Sequence, residues 1–215
     1  MQETLLIATA LAALTNWIVR WRNNQAIETW VKPLTTMLVI GLAIANDAEI
    51  KYSGIAVVAL VLCLEGDIAL LPAMDKFIVG LASFLLGHLA FIVLFVRYGT
   101  PHRGLAAIAI GGAIVLAATA GRAIVRGAAR KDTALRIPVV AYLVVICTMT
   151  VSGWATGRGW VIAGTTLFVI SDTLLGWGRF ARDDASDSDS NSTWLSTAVM
   201  VTYHGAIAAL ALSLW

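Results

Sequence analysis

Residues 62–72 read LCLEGDIALLP. Two carboxylates, Glu65 and Asp67, sit in a stretch that otherwise has the composition of lipid-facing hydrocarbon. A helix that only had to cross a bilayer would not carry them, because each charge at mid-membrane costs about 2.5–3.5 kcal/mol on insertion scales. The apolar run around them, 53–72, is long enough to span a membrane. Comparable runs recur on both sides of it, at 2–19, 30–46, 76–98, 103–121, 134–153, 159–178 and 194–215. No strand-like alternation points to a barrel, and closed helices satisfy every backbone polar group in lipid. The reading is an all-α integral membrane bundle of about eight transmembrane helices, a single transmembrane domain over residues 1–215.

Composition agrees. The chain is 59% hydrophobic and 13% charged, against about 25% charged in a typical soluble domain. The net charge of +2 and the lack of a basic domain exclude a nucleic-acid partner. Cys63 and Cys147 lie in apolar runs without a CxxC pair and read as small buried hydrophobes. The N-terminus, MQET, has no Lys or Arg, so the first apolar run reads as a retained helix rather than a cleaved signal. Trp17, Trp30, Trp154, Trp160, Trp177, Trp194 and Trp215 fall at or near span ends, as an interfacial aromatic belt requires.

Charge asymmetry orients the spans. Eleven of the fifteen Lys and Arg fall on the side of the loops after spans 1, 3, 5 and 7. The positive-inside rule places that side in the cytoplasm and both termini outside, in the plasma membrane if the source is bacterial. Arg122, Arg126 and Arg130 make a basic stripe if the fifth helix continues past Gly121. That stripe reads as a topology signal touching anionic membrane lipids, or as a grip on a substrate phosphate. The acidic stretch within 183–193 reads as a flexible polar loop between helices 7 and 8.

Asp67 lies about two-thirds along the third span, and Asp172, in LFVISDTLLGW, about two-thirds along the seventh. Such a carboxyl faces the bundle interior, where it either finds a cationic partner or keeps its proton. Its bland role is a hydrogen bond between helices, and its functional role is proton chemistry. Glu65 is two positions from Asp67 and points to nearly the opposite side of a helix, so Asp67 is preferred as the site residue. LCLEGDIALL and LFVISDTLLG align, with Leu62 on Leu167, Asp67 on Asp172 and Leu70 on Leu175. Each following span carries a histidine, His88 and His204. The match suggests two four-helix repeats with both aspartates at one depth. His88, Tyr203 and His204 are candidates for orienting a carboxylate or substrate, or for helix-to-helix hydrogen bonds. Lys32, before Pro33, either snorkels to the interface or reaches inward as the positive partner of a site.

These residues together resemble the lysoplasmalogenase (YhhN-like) family of polytopic membrane proteins. The carrying motifs are KPLTT (32–36), EGDIALL (65–71), FIVGLASFLLGHLAF (77–91), FVISDTLLG (168–176) and TYHGAIAALAL (202–212). One departure is visible: the family usually has a glutamine after the tyrosine-containing run of its last helix, where this chain has YHGAIAA. The resemblance implies a hydrolase that cleaves the vinyl ether of a lysoplasmalogen, a lysophospholipid, to a fatty aldehyde and glycerophosphocholine or glycerophosphoethanolamine. The chemistry suits two aspartates, since one acid must protonate the alkene carbon and one carboxylate must steady the oxocarbenium ion that follows. Asp67 and Asp172 are the catalytic candidates. Lys32 or a loop arginine is the candidate for the phosphate. No cofactor is expected, and no metal, because no compact zinc-ligand pattern is present. A proton-coupled transporter or lipid-binding membrane protein using the same aspartates is the alternative. An intramembrane aspartyl protease fits poorly, because its GxGD motif requires glycine where this chain has Leu64. The absence of G-x-S-x-G and H-E-x-x-H disfavours the common serine and zinc hydrolases.

Overall fold

The structure, a computed structural model, describes residues 2–45, 50–182 and 189–215. Among these residues the secondary structure is all helical, and eight helices are long and apolar enough to cross a membrane. In chain order they are α1 (Gln2–Trp21), α2 (Gln25–Ile44), α3 (Ile50–Ala69), α4 (Phe77–Tyr98), α5 (Arg103–Lys131), α6 (Arg136–Ala155), α7 (Gly159–Ala181) and α8 (Asp189–Leu212). Short turns join α1 to α2, α3 to α4, α4 to α5 and α6 to α7. Two non-glycine residues with positive φ, Asn23 and Asp75, sit in the α1–α2 and α3–α4 turns, where Asn and Asp tolerate the left-handed region best. α8 begins at Asp189, inside the segment read as a polar loop at 183–193, and residues 183–188 lie outside the described residues.

Large apolar side chains cover much of the outer surface. Ile7, Leu11, Leu14 and Ile18 are exposed along one face of α1, and Trp30, Trp160, Trp194 and Trp215 are exposed near helix ends. A soluble bundle would not tolerate that surface, whereas a lipid-embedded one requires it. The buried core runs through the middle and contains Leu42, Leu60, Phe91, Phe95, Met149, Phe168 and Ile207. Cys63 is fully buried in this core, and both cysteines are free. The helices approach closely at small residues, as membrane packing favours. A Cβ on Gly66 would lie 2.5 Å from the Phe84 ring, and one on Gly164 would lie 2.7 Å from Leu210. These contacts join α3 to α4 and α7 to α8, which are the two most extensively packed pairs.

α5 is longer than a bilayer needs. Its 29 residues extend about 43 Å at 1.5 Å per residue, against a hydrocarbon core of about 30 Å. The helix therefore continues past Gly121 through a π stretch, Ala117–Gly121, which lets it run on without a break. Arg122, Arg126 and Arg130 are exposed on its continuation. The opposite face buries Ile124, Gly127 and Ala128 in a small cluster with Val139 and Phe180. A Cβ on Gly127 would stand 1.7 Å from the Phe180 carbonyl oxygen, so the two backbones must separate to admit one. Gly127→Ala is expected to destabilise by about 1–3 kcal/mol or more, read as a lower melting temperature of the detergent-solubilised protein. Gly112→Ala, with open space around its Cβ, is the control and should not lower it.

Candidate functional site

Asp67 sits in the last turn of α3, closer to the helix end than sequence placed it, because α3 stops at Ala69. Its side chain is 1% exposed. Two helices supply its partners. Lys32 Nζ of α2 lies 3.2 Å from Oδ1. Thr36 Oγ1, one turn further along α2, donates to Oδ2 at 2.7 Å, and Tyr203 OH of α8 donates to the same oxygen at 2.7 Å. Lys32 is buried, so it reaches inward and does not snorkel. Pro33 beside it withholds the N–H that would bond to the Thr29 carbonyl. The ammonium and two hydroxyl donors are the set that compensates a buried carboxylate.

Asp172 of α7 has a different environment. Tyr142 OH of α6 donates to its Oδ2 at 2.5 Å. The His88 Nε2 of α4 stands 3.7 Å from the same oxygen, too far for a hydrogen bond. His88 is fully buried, edge-on to Phe168 and Tyr142, and neither of its ring nitrogens has a hydrogen-bond partner among the described residues. Asp172 therefore has a phenol for a neighbour where Asp67 has an ammonium.

Two clefts meet at Asp172. The first contains about 700 Å³ of empty space, its open mouth included, and its lining sets the charged and hydroxyl groups of Arg20, Glu28, Lys32, Asp67, Asp172 and Tyr203 among apolar side chains such as Leu71 and Met200. The second contains about 730 Å³ measured the same way. Its walls are apolar, including Phe77, Leu116, Ile124, Val139 and Ile146, with Asp172 at one point and Arg179 at another. Leu70, Phe84 and Leu175 line both. Both clefts lie at the end of the bundle where α1, α3, α5 and α7 finish, which is the end richest in Lys and Arg.

Lys32, Asp67, Asp172 and Tyr203 thus share one cleft, and His88 backs Asp172 from the core. His204 goes elsewhere. Its Nδ1 accepts a hydrogen bond from Trp17 Nε1 of α1 at 3.1 Å, and it is buried against that helix. Glu65 is exposed on the outer side of α3, turned away from Asp67. The basic stripe of α5 is on an exposed face. Four residues were not singled out by the sequence reading: Thr36, Tyr142 and the paired Arg20 and Glu28, whose Nη1 and Oε2 are 2.7 Å apart. Thr36 lay within the KPLTT motif, and its four-residue offset from Lys32 is a usable signal. Nothing local marks Tyr142. Among the described residues, no group of three His, Cys, Asp or Glu side chains could hold a metal ion.

A membrane-embedded helical bundle with two acidic centres on one cleft is the class that fold and site define. A family model, the YhhN family, matches residues 27–214, and the chain belongs to that family. A search of curated proteins and a search of solved structures found no match.

Proposed function

We propose that the protein hydrolyses the vinyl ether of lysoplasmalogens, releasing a fatty aldehyde and a glycerophospho-alcohol. The observation that carries this reading is the meeting of a cleft with charged residues and an almost wholly apolar one at two carboxyls with unlike partners. A single-chain ether phospholipid has the same division, with its cleavable bond between an alkenyl chain and a polar glycerophosphate. The chain fits the apolar cleft, the head group fits the charged one, and the bond falls near Asp172. Membership of the YhhN family supports the reading.

The chemistry needs an acid and an anion. Asp172 has no ammonium partner and is the acid in this proposal. It transfers its proton to the alkene carbon remote from oxygen, and the other carbon becomes an oxocarbenium centre. Asp67, whose partners favour its ionised form, faces this cation across the cleft and stabilises it. Water adds to the oxocarbenium carbon and returns a proton to Asp172. The resulting hemiacetal loses its hydroxyl proton, and the departing glycerol oxygen gains one. One water is consumed, and aldehyde and alcohol leave. By the positive-inside rule the clefts open to the cytoplasm, with both termini on the opposite side.

The test is aldehyde release from a lysoplasmalogen by the purified protein in detergent, with choline and ethanolamine head groups. Release supports the hydrolase. No release by a folded protein on either lipid defeats this reading and favours the transporter, which leaves lipid chemically intact. Glu65→Gln is the internal control. Its exposed site outside the cleft limits its effect to about twofold in rate, the equivalent of ~0.5 kcal/mol.

A further inference from the structure

His88 is a polar group in the core that the proposed chemistry leaves without a task. It lies near the middle of α4 and is fully buried, and both ring nitrogens lack a hydrogen-bond partner among the described residues. An unpaired buried nitrogen forfeits its hydrogen bonds to water, so an apolar side chain would be more stable there. Packing does not call for an imidazole either. The ring stands edge-on to Phe168 and Tyr142, with centroids 4.6 and 5.3 Å away, and a phenyl ring could make the same contacts.

What an imidazole adds is a donor aimed at Asp172. Nε2 stands 3.7 Å from Oδ2, about 0.7 Å beyond the usual N–H···O distance. The same oxygen already accepts the Tyr142 hydroxyl. A carboxyl oxygen has two lone pairs, so Oδ2 has room for a second donor, and Oδ1 is left for the reacting proton. At this level α4 is seated against α3. A Cβ on Gly87 would lie 3.1 Å from the Ala59 carbonyl oxygen and 3.2 Å from Cys63 Sγ. The remaining gap is therefore one for side-chain rotation to close, not for a shift of the helix. His88 is in the wall of neither cleft, so it acts on a substrate only through Asp172.

We propose that His88 is a positioning residue that completes a hydrogen bond to Asp172 as that acid gives up its proton. The catalytic meaning of this step rests on the hydrolase reading. While Asp172 holds its proton, Oδ2 is a neutral carbonyl oxygen, satisfied by one hydroxyl. Once the proton has moved to the alkene carbon, a carboxylate remains. No cation contacts it: Lys32 is held by Asp67 across the cleft, Arg20 pairs with Glu28, and Arg179 lies over Phe77. The other titratable groups near it are Tyr142 of α6, Tyr203 of α8 and Cys63 of α3. Tyr142 supplies one donor, and the Nε2–H of His88 turns in as the second. His88 keeps its hydrogen throughout, and the bond lengthens again when water returns a proton to Asp172. A hydrogen bond to a charged oxygen is stronger than one to a neutral oxygen. The contact therefore favours the transition state over the ground state and lowers the barrier.

The experiment follows the Asp172 proton by infrared spectroscopy of the detergent-solubilised protein without substrate. The signal is the protonated-carboxyl C=O band that Asp172→Asn abolishes, recorded as pH rises. His88→Leu and His88→Phe remove the donor and keep the core filled, while His88→Gln returns an N–H close to the position of Nε2. Both apolar variants should move the midpoint of the band's disappearance upward by about one to two pH units, because the carboxylate loses a charge-assisted hydrogen bond. His88→Gln should stay close to the parent. With lysoplasmalogen, the apolar variants should lower kcat about tenfold and leave KM unchanged, and the alkaline limb of kcat should follow the infrared midpoint. An unmoved midpoint in a folded apolar variant overturns the proposal. So does a His88→Gln protein that shifts as far as they do, or a parent without such a band at any pH. Loss of folding in both apolar variants would make His88 a structural residue and overturns it too. A shifted midpoint beside a parent that releases no aldehyde would instead defeat the hydrolase reading and leave the coupling of His88 to Asp172 standing.

Discussion

The Asp172→Asn protein is expected to fold, to bind lysoplasmalogen, and to release aldehyde about 10²–10⁴ times more slowly than the parent, the range typical for loss of a general acid. An amide matches the carboxyl in shape and keeps an oxygen to accept the Tyr142 hydroxyl. It cannot deliver a proton to carbon. The loss should fall on kcat with little change in KM, because the proton is transferred only in the transition state. Single-turnover aldehyde release under saturating lipid measures this directly. Tyr142→Phe should produce a smaller loss, since the phenol orients the acid and does not supply the reacting proton. Undiminished release by Asp172→Asn would remove it from the mechanism and shift the acid's role to another group.

The second large effect is on stability and concerns Lys32. Lys32→Met leaves Asp67 buried with its two hydroxyl donors and no cation. Removing one partner from a buried ion pair costs about 3–5 kcal/mol, because the remaining charge has no compensation. The variant should therefore unfold at a lower temperature in detergent, or lose aldehyde release because Asp67 is no longer held as an anion. Asp67→Asn together with Lys32→Met removes both charges. That double variant should recover most of the lost stability and none of the activity. The non-additivity identifies the pair. A double variant no more stable than Lys32→Met alone would mean that Lys32 stabilises the bundle through its packing and not through Asp67.

Much of this architecture is a property of the chain taken segment by segment. Length and hydropathy decide whether a run crosses a bilayer, and both are local, so eight spans were legible. The cost of an intramembrane charge is likewise local to first order, which is why Asp67 and Asp172 stood out from their neighbours. Helical spacing alone separated Glu65 from Asp67, and the structure places the first outside and the second inside. The four-residue interval of the basic stripe was equally readable, and α5 does continue through it.

What only the tertiary structure decided is which faces meet. Tyr142 is 30 residues from Asp172 and Tyr203 is 136 from Asp67, and no local pattern pairs them. His88 and His204 looked equivalent along the chain. One packs beside Asp172, while the other faces Trp17 on α1, because its position on α8 is rotated about 100° from that of Tyr203. The unlike surroundings of the two aspartates come from the same cause: α2 brings an ammonium to one, and α6 brings a phenol to the other. Hydropathy determines that a helix is in the membrane, but a charge acquires its role from the helices packed around it.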